Sequence, residues 1–447
     1  MRKLLGCLVL SSLFCCLPVL SLERQPNADY RARRDALAKK LNGGVALIFA
    51  EMEGDGINGL HGFRQSDNFY YLTGWAEPGA AVLVASAREA KGDQPARPAT
   101  EILFLPSRDM VGERWTGPKL GPDSPEASST TGFDHVEALS KLDEELPKLL
   151  VTGDKVYTEL ARPGEVNSSS GLFDWLKRTR AIPGRVQLAE AKPLLASLRV
   201  IKDAREVDLI KKATEASMAA HRAVMREIKP GMTEREVGAI LHYEWEKRGC
   251  ERDSYAPIVG SGFNSTVLHY SENSGVVHPY DTVVIDAAGE YSMYATDITR
   301  TLPANGKFTA RQREIYDIVL GAQQAAMAAF QAGKSTLRRD APDSIDTVAR
   351  DYINTHGKDL HGESLGKYFI HGLGHYVGLN VHDEGDYTIP LSPGMVFTIE
   401  PGVYIPEEKL GVRIEDMYYV DPDGKLVQLT AALPRTVDAV ERAMAGK

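Results

Sequence analysis

Five side chains of metal-binding type stand between positions 286 and 415 of this 447-residue chain, and any fold it adopts must account for burying or gathering them. They are Asp286 in VVIDAAGEY, Asp297 in YATDITRT, His375 in HGLGHYVG, Glu400 in FTIEPGVY and Glu415 in VRIEDM. Four carboxylates and one imidazole form a hard, oxygen-rich set, which favours Mn²⁺ or a similar divalent ion over a structural zinc. The four negative charges balance two divalent ions, with a bridging hydroxide left as the attacking group. Without cations, four carboxylates in one pocket would repel strongly.

Two of the five, Asp286 and Glu400, stand at the end of an apolar run. Asp286 closes 282–286, and Asp297 is expected on the returning strand of the same hairpin, 294–302, after a turn containing Gly289. On such a strand Asp297 and Thr299 share a face, because side chains alternate. Taken singly, either aspartate could be a turn or edge residue and either glutamate an ordinary ion-pair partner. Asp286 after four apolar residues is harder to place that way, since a buried carboxylate needs a cation or several donors. His371 and His375 lie four apart, but Gly372, Gly374 and Gly378 predict a loop that presents His375 alone. His382 follows in NVHD, and seven of the eleven histidines fall between 269 and 382, which points to chemistry. Glu400 ends the run 396–399 just before Pro401 and Gly402, while Glu415 alternates with Arg413, so Arg413 could hold a neighbouring carboxylate in place.

The length predicts two or three domains, and 43% apolar with 25% charged residues is a globular composition. Arg2 and Lys3 precede an uncharged stretch over 4–20, with Val19 and Ser21 suited to a cleavage site. We therefore expect residues 1–21 to be a signal peptide, directing export to the periplasm or beyond. After cleavage only Cys250 of the four cysteines remains, so no internal disulfide is possible. A formal net charge of −9 argues against nucleic acid or an anionic membrane as the main partner.

Residues 28–195 read as an α/β domain: a basic helix over 28–41 and buried-type runs at 45–50, 81–86 and 102–105, predicting a mixed sheet covered by helices. The pattern changes near 193–202. Asp203 with Glu206 forms a capping-box signature for a helix whose Val207, Ile210, Ser217, His221 and Val224 share one face. Thr233 with Glu236 opens a second helix, to about Lys247, and 310–330 is helical again. Each helical stretch precedes strands, a faint sign of internal duplication.

The segments IDAAGEYSMYATDITRT, HGLGHYVGLNVHD, TIEPGVYI and RIEDM resemble those of the pita-bread metallopeptidases, in particular the aminopeptidase P family. So do GFRQSDNFYYLTGWAEPGA and LFLPSRDMVGERWTGPKLGPD in the first half. The resemblance implies an α/β aminopeptidase P N-terminal domain (28–195) followed by an α+β pita-bread catalytic domain (203–435). It implies that Asp286 and Asp297 bind one ion, Asp297 and Glu415 bridge a pair, and His375 and Glu400 complete the other site. His269 and His382 would orient substrate and stabilise an oxyanion, with His371, Tyr404 and Arg413 supporting the site. Glu400 would also carry a proton to the leaving proline nitrogen. The implied reaction releases the first residue of Xaa-Pro peptides, and the family often forms dimers or tetramers. An Xaa-Pro dipeptidase (prolidase) would use the same ligands, and the N-terminal signature favours the aminopeptidase. A methionine aminopeptidase usually lacks such an N-terminal domain. A non-catalytic binding module, or a metal-free creatinase-like enzyme, should have lost several ligands, and none is missing. Arg64, Asp67, Tyr70 and Tyr71 read as packing groups, while the glycine-rich stretch 51–61 departs from the family's acidic pattern.

Overall fold

The computed structural model describes residues 22–53, 62–90, 92, 95–160, 186–339 and 341–446. The expected leader, 1–21, and most of the glycine-rich stretch, 54–61, lie outside them.

The first half is built on a six-stranded mixed sheet. Its strands are β1 (Val45–Phe49), β2 (Ala81–Ala85), β3 (Thr100–Leu105), β4 (Val136–Ala138), β5 (Lys155–Thr158) and β6 (Gln187–Glu190), in the order β4-β3-β2-β1-β5-β6. The uninterrupted apolar run VALIF sits at the centre, antiparallel to β2 and parallel to β5. Both its faces are covered, which is why it shows no polar alternation. Helices α1 (Asn27–Lys40) and α2 (Asp67–Thr73) cover one face; Gly74, left-handed at φ 61, ends α2.

The second half begins with α3 (Ala204–Glu227), in which Asp203 and Glu206 make both reciprocal bonds of the capping box. Val207, Ile210, Ser217, His221 and Val224 are all buried along it. Helix α4 (Glu234–Glu246) opens with a second complete box from Thr233 and Glu236. Then come β7 (Arg252–Asp253), β8 (Ile258–Ser261), β9 (Thr282–Asp286), β10 (Gly289–Glu290) and β11 (Thr299–Pro303). Helices α5 (Ala310–Ala329) and α6 (Ile345–His356) repeat the helix-pair theme before β12 (Val396–Ile399), β13 (Gly402–Ile405), β14 (Leu410–Arg413) and β15 (Asp416–Val420). Four antiparallel units result, β10-β7, β11-β9-β8, β13-β14 and β15 paired with β12, and a bridge from Thr299 to Glu415 joins the β11-β9-β8 unit to the turn between β14 and β15.

One expected strand is shorter than the sequence implied. The hairpin opposes Thr299 to Asp286, but β11 starts only at Thr299, and 287–298 make an excursion in which β10 pairs with β7. The reversal is at Ser292 and Met293, whose φ values are 49° and 73°, and not at Gly289. Gly289 serves close packing instead: a Cβ there would come within 2.8 Å of Trp245 and 2.9 Å of the Cys250 sulfur. Asp297 therefore precedes the ladder by two residues. It still faces the same carboxylate as Thr299: Asp297 groups with Glu415, and the Thr299 hydroxyl donates to Glu415 at 2.7 Å.

An apolar cluster spans both halves, joining Phe69, Tyr70 and Leu37 to Val207, Ile210, Val377, Leu379 and Val396. The two halves are thus packed through a common core.

Candidate active site

A cavity of 540 Å³ opens in the second half, and Asp286, Asp297, His375, Glu400 and Glu415 all line it. Each arrives from a different edge. Asp286 is the last residue of β9, and Glu415 is brought opposite by the Thr299 bridge. Glu400 follows β12 directly. The glycine-rich loop runs beside β12: Thr398 N donates to the His375 carbonyl at 2.9 Å and Glu400 N to the Leu373 carbonyl at 2.8 Å. Gly374 permits this approach, because a side chain there would overlap the Thr398 carbonyl.

Ligand-type atoms of Asp297, His375 and Glu415 lie within 4.8 Å of one another, the one such group among the described residues. His375 Nε2 is 3.3 Å from Asp297, 3.4 Å from Glu400 and 3.8 Å from Glu415. Asp286 joins through Tyr255, whose hydroxyl lies 2.6 Å from Asp286 Oδ1 and 2.5 Å from Asp297 Oδ1. Arg413 Nη2 donates to Asp286 Oδ2 at 2.5 Å, so it holds a carboxylate, as its alternation with Glu415 implied.

Burial first, and then Asp286 and Glu400, pushes the Asp297 carboxyl well above the usual range. Burial and Asp297 do the same to Glu415, and burial with Glu415 raises Glu400 to about 8. Glu415 Oε1 is buried with no hydrogen-bond partner among the described residues. A buried acceptor without a donor, among carboxylates that cannot all ionise, fits a site for divalent cations.

His269 and His382 stand at the cavity's edge, the His382 ring edge-on to His375 with centroids 4.5 Å apart. His371 also lines the cavity, yet it does not touch the ligand group. Its Nε2 is 2.8 Å from the Tyr404 hydroxyl, which in turn accepts from Arg413 Nη1 at 2.8 Å. Burial, with Arg413 nearby, drops His371 to about 3. A neutral His371 accepts from Tyr404 and donates from Nδ1 to the Gly372 carbonyl at 2.8 Å. Tyr404 itself is buried behind the wall.

Sequence reasoning missed two residues. Tyr255, in DSYAPIVG, drew no notice because its partners lie 31 and 42 positions away. Glu234 stands in the first turn of α4, between Thr233 and Glu236. It is fully buried, and accepts from Ser261 N, Asn264 Nδ2, Tyr270 OH and Gly275 N at 2.6–3.0 Å, ordering the loop that carries His269. No local pattern announces either role.

Residues 30–157 match the family described as aminopeptidase P, N-terminal domain, and residues 208–422 match metallopeptidase family M24. A protein of Escherichia coli (strain K12) named Xaa-Pro aminopeptidase is 33% identical over 443 residues, covering 93% of this chain and 97% of its own length. Xaa-Pro aminopeptidase 3 of Homo sapiens is 33% identical over 402 residues, 85% of this chain and 76% of that protein. The solved structure of proline aminopeptidase P II from Yersinia pestis superposes with a TM-score of 0.81 at 32% identity, over 95% of this chain and 100% of that one. With both halves matched in order and the five candidate residues gathered around one cavity, the chain belongs to metallopeptidase family M24 as a metalloexopeptidase of the aminopeptidase P type, with an N-terminal domain ahead of a pita-bread catalytic domain.

Proposed function

We propose that this enzyme releases the first residue of peptides with proline in the second position, using two divalent ions, Mn²⁺ by preference. The observation that carries the reading is the convergence of four carboxylates and His375 on a single cavity, three of the four within 4 Å of the His375 ring nitrogen. The names of the relatives support proline as the second residue. The oxygen-rich donor set supports Mn²⁺. Asp286 and Asp297 would hold one ion, His375 and Glu400 the other, with Asp297 and Glu415 shared.

Ions bound there supply Lewis acidity toward a peptide carbonyl and lower the pKa of an attacking water. The chain's own groups do the rest. His269 and His382 face the cavity from its edge, where a ring N–H can donate to oxygen that gains charge during attack. Arg413 orients Asp286, and Tyr404 links that arginine to His371. Glu400 is placed to move a proton to the departing nitrogen. Proline offers no N–H to recognise, so the apolar wall of Leu268, Val381 and Tyr387 is the surface left for its ring.

The direct test is a Mn²⁺-reconstituted assay on Xaa-Pro-Xaa, Xaa-Ala-Xaa and Xaa-Pro peptides. Release of the first residue from Xaa-Pro-Xaa alone is expected. Cleavage confined to the dipeptide would make the enzyme a dipeptidase. In the same assay Glu400→Gln should lower turnover by about 10²-fold or more, and near-parental turnover would remove Glu400 as the proton carrier.

The reading extends to an exported enzyme, cleaved after Ser21, that acts in the periplasm or outside the cell as a dimer or tetramer on peptides and not on nucleic acid. Arg2, Lys3 and the uncharged run over 4–20 support export, and the net charge of −9 opposes a nucleic-acid partner. N-terminal sequencing of the exported form checks the cleavage: a chain that still begins at Met1 would count against it.

A further inference from the structure

Two polar residues of the N-terminal signature reach out of their own domain. Arg64 spends Nε on Glu290 at 2.9 Å and Nη1 on Asp67 at 2.8 Å, leaving Nη2 to donate to the Leu379 carbonyl at 2.6 Å. The second Asp67 oxygen accepts from Asn380 Nδ2 at 3.3 Å and stands 3.5 Å from Arg199. Arg199 is buried; it donates to Asn68 at 2.7 Å and pairs with Asp383. Lys202 takes the other Asp383 oxygen at 2.9 Å.

These contacts close on one short loop. Leu379 and Asn380 are gripped on one side and Asp383 on the other, and between them Val381 and His382 face the cavity. The loop belongs to no helix or strand. Its backbone bonds here are Gly378 N to the Asn380 carbonyl and Asp383 N to the Tyr376 carbonyl. They tie the loop to a base that is itself anchored, Val377 N donating to the Val396 carbonyl and Ala295 N to the Gly378 carbonyl. Beyond that base, no backbone bond among the described residues joins 379–382 to another segment, so their placement falls to the side chains. Nor are the polar contacts needed to dock the two halves, since the apolar cluster through Phe69, Val207 and Val396 already does so.

We propose that Arg64 and Asp67 are positioning residues for the reaction: acting through the Leu379 carbonyl, Asn380 and the Arg199–Asp383 pair, they fix the backbone from which His382 enters the cavity. The amino-terminal domain thereby sets the geometry of a catalytic group in the other domain. This rests on the reading of His382 as a donor to the developing oxyanion.

The test uses the full chain loaded with Mn²⁺, with Arg64→Lys and Asp67→Asn made alone and in a His382→Ala background. Each single replacement should lower kcat by about 10- to 100-fold, the scale of a small misplacement of a reacting group, with KM and bound metal close to parental. In the His382→Ala background the same replacements should change kcat less than about twofold, because the group they position is gone. Hydrogen–deuterium exchange should quicken in peptides covering 379–383 and stay unchanged in β9. A full loss repeated in the His382→Ala background would overturn the proposal, as would unaltered exchange at 379–383. Parental kcat in His382→Ala alone would instead overturn the role given to His382, while the exchange measurement would still decide whether Arg64 and Asp67 hold the loop.

Discussion

Asp297→Asn is expected to abolish turnover while making the metal-free protein more resistant to heat. The side chain is buried, its Oδ1 on Tyr255 and its Oδ2 3.3 Å from His375. Losing a charged ligand removes Lewis-acid stabilisation of several kcal/mol, so turnover should fall on the order of 10³-fold. Stability runs the other way. An acid whose folded pKa is raised binds its proton more tightly folded than unfolded, and stability then falls as pH rises. Glu400, moved from 4.5 to about 8, would by itself withdraw roughly 5 kcal/mol from the metal-free fold above pH 8. That penalty fades as pH drops toward 4.5. Asp297 and Glu415, shifted in the same direction, add to it. Metal-free parent should therefore melt higher at pH 5 than at pH 8, and Mn²⁺ should erase or reverse the trend by favouring the ionised form. Asp297→Asn removes one of the repelling charges, so at pH 8 without metal it should melt above the parent and gain less from Mn²⁺. Melting curves between pH 5 and 8, with and without Mn²⁺, read all of this. A metal-free parent equally stable at both ends, and unmoved by Mn²⁺, would contradict the account.

The candidate ligands Asp286 and Glu400 stood out because each stands at the end of an apolar run, VVID and VFTIE, where a buried carboxylate needs a cation or several donors. The capping boxes at Asp203 and Thr233 were legible because both of their partners lie three residues away, within one turn of helix. The central strand VALIF showed itself by its unbroken burial. What escaped was everything decided at long range. Gly289 looked like a turn residue, whereas its lack of a side chain makes room for Trp245 and Cys250. Arg64 and Asp67 read as packing groups beside Tyr70 and Tyr71; the two tyrosines are buried, but Arg64 crosses 315 positions to reach the Leu379 carbonyl. Helical and strand periodicities report contacts a few residues apart. They carry no signal for a Tyr255 hydroxyl shared between two distant carboxylates. Asp297 and Thr299 do both turn toward Glu415, although Asp297 lies outside the ladder that begins at Thr299.

Asp416→Ala is expected to destabilise the catalytic domain by about 3–5 kcal/mol, the range for breaking a buried ion pair. Asp416 directly follows the ligand Glu415 and is wholly buried, as is its partner Arg300, 2.6 Å away. Thr430 donates to the same carboxylate oxygen at 2.5 Å and Gln323 to the other at 3.0 Å. Arg300 also donates to the carbonyls of Thr299, Glu415 and Pro434 at 2.7–2.9 Å, so it fixes the backbone on both sides of the Thr299–Glu415 bridge. Removing Asp416 leaves that guanidinium in the core with neutral acceptors only, and Arg435, 3.6 Å from the second oxygen, loses its counter-charge as well. Because the same arginine aligns Glu415, metal affinity should fall along with stability. Asp416→Asn keeps the volume and an acceptor, so it should lose less. The joint replacement Arg300→Met/Asp416→Leu should recover part of the stability, since the penalty of Asp416→Ala lies in the unpaired charge more than in the lost attraction. Urea unfolding of the four proteins gives the comparison. If Asp416→Ala unfolds within about 1 kcal/mol of the parent, Arg300 has found another counter-charge and the pair does not hold this corner of the site in place.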